Sequence, residues 1–168
     1  MSGIAPGAKI QVVPILRRSI AQAKWNAPNA IVFATLALKR GDVMLVEVES
    51  AVTGSISTPF ETGDAEFAAL RQATALGIHV VEPAANSAGG IALDLDPLVQ
   101  DPQTGKSKFD WTFRDSGAIL VGGGRSALNP QFLHDRYPNS NFGSRVDTYA
   151  WGQNVATLGF GPRSNTLV

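Results

Sequence analysis

Hydrophobic positions fall into short continuous runs separated by helical spacing. Residues 42–48 read Asp-Val-Met-Leu-Val-Glu-Val, apolar from Val43 to Val46. Residues 78–81 and 118–121 repeat the pattern, and residues 146–149 predict one more short strand. Continuous apolar runs of this length suit parallel strands covered on both faces. Residues 64–76 carry Phe67, Leu70, Thr74 and Ala75 at helical spacing, with Asp64 as the expected cap and Gly77 as the stop. Residues 27–39 predict a second helix, with Asn26 before it, Pro28 in its first turn and Gly41 after it. Residues 9–16 are β-rich, and Pro14 sends them to a sheet edge. Residues 51–63 and 85–114 predict loops.

Helix, glycine, apolar strand, loop is therefore the repeating order. It predicts one α/β domain across residues 1–168, with a mostly parallel sheet and crossover connections. In such sheets ligands bind beyond the carboxyl ends of the strands. Those ends are Glu47-Val48-Glu49, Glu82-Pro83-Ala84-Ala85-Asn86 and Gly122-Gly123-Gly124.

Composition narrows the chemistry. The 168 residues are 44% hydrophobic and 17% charged, with a formal net charge of zero. A nucleic-acid or anionic-membrane surface would bring a basic excess, so neither partner is expected. The chain has no cysteine, which removes disulfides and thiolate metal sites. No apolar stretch approaches the ~20 residues of a membrane span, and residues 1–7 carry no leader pattern.

Four segments then become recognisable together. Gly77-Ile78-His79-Val80-Val81-Glu82-Pro83-Ala84-Ala85-Asn86-Ser87 resembles the subtilisin-like serine peptidase (subtilase) strand that ends in the oxyanion asparagine. Gly3-Ile4-Ala5-Pro6 resembles that family's entry to an earlier strand, and Gly41-Asp42-Val43 its strand leading to the substrate edge. Ser140-Asn141-Phe142-Gly143, with Val146-Asp147 and Ala150-Trp151-Gly152, is similar to a fourth family stretch. Asp115-Ser116-Gly117-Ala118 fits the strand between them.

The resemblance implies a three-layer subtilisin-like sandwich, incomplete at both ends. It implies that Asn86 stabilises an oxyanion. It implies that Glu47, Val48 and Glu49 bind an extended peptide, facing a wall of Pro83, Ala84 and Ala85. The parent enzyme's partner would be a peptide or protein substrate, and secretion would be usual for it. The family's catalytic Asp and His precede the Gly-Ile-Ala-Pro segment, and its Ser lies in a Gly-Thr-Ser after Ala-Trp-Gly. Neither motif occurs here, so the chain is expected to be a segment without the triad, inactive alone. Missing flanks would leave apolar surface open and favour association. The family places Gly where Ala85 stands, so a positive φ there would strain this chain.

Other candidates weigh less. Glu47, Glu49 and Glu82 near one cleft would favour basic side chains in the substrate, or be solvated strand ends. His79, between Ile78 and Val80, reads as a core histidine, and His134 as a surface one. No cofactor is expected. Calcium at Asp94, Asp96 and Asp101 is the alternative, although their spacing lacks the glycine and terminal glutamate of an EF-hand loop. Gly122-Gly123-Gly124-Arg125-Ser126-Ala127 and Gly105-Lys106-Ser107 are near misses of nucleotide-binding motifs. The alternative to a peptidase segment is a non-catalytic peptide-binding or structural relative.

Overall fold

A computed structural model of the protein describes residues 5–17, 24–51, 56–86, 91–128, 130–132 and 135–155. Gly3, Ile4, Ser87, His134 and the stretch 156–168 lie outside the described residues.

The centre is a four-stranded sheet, parallel throughout. Its strands are β3 (Val43–Leu45), β6 (His79–Pro83), β7 (Ile119–Gly124) and β8 (Thr148–Trp151), in that spatial order. The remaining strands form two small antiparallel pairs. One joins β1 (Leu16–Arg17) to β2 (Lys24–Trp25), and the other joins β4 (Glu49–Ala51) to β5 (Ser57–Pro59). Two helices complete the α/β fold, α1 (Ala27–Thr35) and α2 (Asp64–Ala75).

Both helices pack on the same face of the sheet. Register pairs Met44 with Val80 and Glu82 with Leu120, so even-numbered residues of the first three strands share that face. All four are buried. Ala27 and Ile31 of α1 and Ala69, Leu70 and Ala73 of α2 close over Met44, Val46 and Val80. A smaller cluster of Ala84, Leu95, Phe109 and Leu120 continues this core beneath the long connection from β6 to β7. The odd-numbered face is bare at its amino-terminal end among the described residues, while Tyr137 and Ser140 lie over Gly123 at the other end. Val43 and Leu45 are each 63% exposed, Ile119 is 40% exposed, and His79 is also exposed.

Several expectations need correction. Residues 43–45 are a strand covered on one face, not two. His79 is exposed because it opens β6 on the bare side, so it is not a core histidine. Residues 9–16 do not form a strand before Leu16, and Ile10 and Val12 are 83% and 85% exposed. A strand exists only when a neighbour takes its hydrogen bonds, and here the segment meets one only at Ile15 and Leu16, beside Asn26 and Trp25. The expected loop 51–63 contains β5 and a 3₁₀ turn, Phe60–Thr62. Gly122, Gly123 and Gly124 are strand residues of β7, not the loop that follows it.

Helix α2 starts after Gly63, so Asp64 is a first-turn residue and not the cap. Its carboxylate pairs with Lys108 at 2.8 Å and Arg114 at 2.9 Å. The Lys108 hydrogen bond chiefly holds the Asp64 carboxyl below its ordinary range. Asn26 precedes α1 but does not cap it with its side chain; its Oδ1 accepts from Asn29 instead.

Candidate substrate cleft

The carboxyl ends of β3 and β6 lie side by side because the strands pair in parallel register. The chain leaving β3 runs through Glu47 and Val48 into β4. The chain leaving β6 runs through Ala84 and Ala85 to Asn86. These two segments form facing walls, and Glu49 meets Asn86 across them: its Oε1 accepts the Asn86 backbone N–H at 3.0 Å. Glu47 and Asn86 are exposed, and Val48 packs against the core. Among the described residues only β5 pairs with β4, so the outer edge of β4 is open. An open strand edge can accept an extended chain.

Ala85 has φ +67 and is buried. This is the left-handed region, where a Cβ crowds the following carbonyl and glycine is the usual residue. The turn is held regardless, because the Ala85 carbonyl accepts the Asn141 N–H at 3.1 Å. Asn86 then bridges to Ser140.

Asn141 braces both walls. Fully buried, it donates from Nδ2 to the Ser57 carbonyl of β5 at 2.9 Å and to the Ala84 carbonyl at 3.0 Å. Its Oδ1 accepts the Leu93 N–H at 3.1 Å. In the sequence Asn141 stands out only within the Ser140-Asn141-Phe142-Gly143 stretch. Its role depends on segments 48 to 84 residues away, and no local spacing signals it.

A cleft of about 480 Å³ continues from β4, lined by Trp25, Glu49, Ser50, Thr62, Gly63 and Glu66. The Trp25 indole donates to Glu66 Oε1 at 3.3 Å. Glu49 and Glu66 therefore give this cleft an acidic lining beside an aromatic ring. Glu82 does not join them. The pleat turns it away from the cleft into the core, where it is 1% exposed, which removes one of the three acids expected there. Trp25 and Glu66 were missed because the contact joins residues 41 apart.

The other candidates sit elsewhere. Asp101 closes its own turn, accepting from Gln103 and Thr104, and Gly105, at φ +70, completes it. Asp96 accepts from Ser144, and Asp94 from the Asp96 N–H. Among the described residues no three acidic or histidine side chains converge as a metal site. The Tyr149 ring packs over Gly122, where a Cβ would meet it at 2.4 Å. The glycine run therefore serves strand packing and offers no phosphate cradle. Compared with known proteins, the chain matches no protein-family model and no curated protein.

Proposed function

We propose that this chain is the substrate-binding and oxyanion part of a subtilisin-like serine endopeptidase domain. The observation that carries the reading is the Ala85–Asn86 turn. An exposed asparagine follows a buried residue at φ +67, just beyond the carboxyl end of a parallel strand. The subtilase pattern puts Gly-Asn at that point, and a left-handed backbone is what glycine would serve. Asn86 would donate its amide to the oxyanion that forms as a peptide carbonyl is attacked. Glu47, Val48 and Glu49 would hold the peptide as an added strand against Pro83, Ala84 and Ala85. Glu49 and Glu66, with Trp25 beside them, would favour a lysine or arginine side chain in the substrate.

The bare sheet face supports the same reading. Parallel sheets are normally covered on both sides, so a third layer, as in a subtilisin-like sandwich, fits over Val43, Leu45 and Ile119. The nucleophile and its base would come with that layer.

A second reading is a peptide-binding relative without catalysis. It is favoured by the position of His79, which opens β6 at the end opposite Asn86. Among the described residues no histidine stands near Asn86.

The test has two arms. Incubated with a fluorogenic peptide, the 168-residue chain should show no inhibitor-sensitive turnover, and a fluorophosphonate probe should leave it unlabelled. Labelling would contradict the proposal. In binding titrations, an extended peptide with lysine at one position should bind more tightly than the same peptide with norleucine. Loss of binding on Asn141→Ala would support the cleft as the site, while binding unaffected by any wall substitution would remove it.

A further inference from the structure

Directly beneath the cleft lies a charged cluster that the peptide-binding reading does not use. Glu61 follows β5, and Glu82 is in β6 immediately before the Pro83–Ala84 wall. They are 3% and 1% exposed. The Glu61 backbone N–H donates to Glu82 Oε2 at 3.3 Å, and Glu82 Oε1, fully buried, has no hydrogen-bond partner. Through that bond Glu61 lies against the Glu82 carboxyl.

The base of the cluster is Arg145, whose direct pairing is with Glu61. Arg145, 3% exposed, holds Nε 3.0 Å from Glu61 Oε1, off the line of a hydrogen bond, and Nη2 3.3 Å from Glu61 Oε2. Its charge is shared further. Nη1 pairs with Asp147 at 2.7 Å, and Asp115 stands 4.0 Å from Nη2. The Ser116 hydroxyl donates to Glu61 Oε2, and Arg114 reaches only the Glu61 carbonyl, at 2.8 Å. Helix α2 contributes Asp64, which is exposed and taken up by Lys108 and Arg114. No other described cation faces Glu82. With the guanidinium taken up by Glu61 and Asp147, an ionised Glu82 would be a buried charge with no cation in contact among the described residues, which is strongly unfavourable.

We propose that Glu61 and Glu82 form a buried proton-binding site whose proton, carried on Glu82, holds the two walls of the cleft together. A protonated Glu82 donates to Glu61, turning a repulsion between acceptors into a hydrogen bond. The bond spans from the end of the β4–β5 hairpin to the start of the Pro83–Asn86 wall. Burial first, then the Glu61 charge, pushes the Glu82 carboxyl well above its ordinary value of 4.5, against the pull of Arg145. The sign follows from linkage. A folded-state affinity for the proton above the unfolded one contributes stability at low pH, and that stability is lost as pH rises through the folded value. The structure therefore loosens on the alkaline side, starting at the cleft.

The wild-type chain gives the first test. In D2O its infrared spectrum should keep a protonated-carboxyl carbonyl band at a pH where ordinary, exposed glutamates are ionised. Glu82→Gln should remove that band. Amide protection factors at residues 60–62 and 83–86, corrected for intrinsic exchange, should fall as pH rises in the wild type. In Glu82→Gln, which keeps a donor toward Glu61 and cannot ionise, they should stay level. A wild-type spectrum with no such band would overturn the proposal even if the variant did not fold. So would equal pH dependence in the two proteins.

Discussion

The two faces of the parallel sheet come from the same strands and are almost equally apolar, yet they have different fates. The face of Met44, Val80 and Leu120 is sealed by α1, α2 and the long connection, and each of these residues is buried. The face of Val43, Leu45 and Ile119 meets solvent. Strand composition does not decide which side is covered. What decides it is which amphipathic segments are close enough in the chain to fold back. Helix α1 precedes β3, and α2 precedes β6. Both therefore return to one side, and on the other the described residues reach only the Gly123 end of β7, where Tyr137 and Ser140 lie.

The largest effect should separate the two faces directly. Leu70→Ala, on the sealed side, should cost about 3 kcal/mol in denaturant unfolding through the lost burial and the cavity left behind. Leu45→Ala, on the bare side, should stay within about 0.5 kcal/mol. Replacing Leu45 and Ile119 together by lysine should reduce self-association in sedimentation without lowering the melt. If Leu45→Ala proved as damaging as Leu70→Ala, the bare face would be covered in solution and the comparison would fail.

A smaller loss is expected where the sealed side supports the cleft. Asn141→Ala removes the amide that ties Ser57 to Ala84 and leaves two carbonyls unpaired, a loss of about 2 kcal/mol. Hydrogen exchange should quicken at residues 84–86 before it does in α2. Uniform quickening would mean that Asn141 is a general core residue and not a brace.

The smallest change should have the opposite sign. Ala85→Gly relieves a left-handed backbone and should stabilise the chain by about 1 kcal/mol, after allowance for the freedom glycine gains when unfolded. A loss of stability would show that the Ala85 methyl, buried beneath the wall, is worth more than the strain.

These contrasts also explain what could be read in advance. Helix α2 was legible to within a residue, because its apolar spacing and the glycine after it are local signals. The first three parallel strands were legible as apolar runs. Residues 9–16 were misread because composition reports β preference, and pairing needs a neighbour. His79 and Glu82 were misread for one reason: both belong to β6, and the pleat sends alternate residues to opposite faces. Which face is sealed is a tertiary fact. Position 85 was the informative exception, since the residue a turn requires is a local backbone matter. The Glu61–Glu82–Arg145 cluster had no sequence signal, because it joins a turn, a strand and a connection far apart in the chain.

The central claim is that this cleft belongs to a subtilisin-like catalytic domain whose remaining parts cover the bare face. Reading the coding sequence through both flanks of the gene tests it most directly. The account predicts an in-frame Asp and His-Gly-Thr before Met1 and a Gly-Thr-Ser after Val168. In the protein made from that full frame, a fluorophosphonate should label the added serine. Asn86→Ala should then lower turnover by a factor of about 10²–10³, the size seen when subtilisin loses its own oxyanion asparagine. Flanks without those motifs, or turnover indifferent to Asn86, would contradict it.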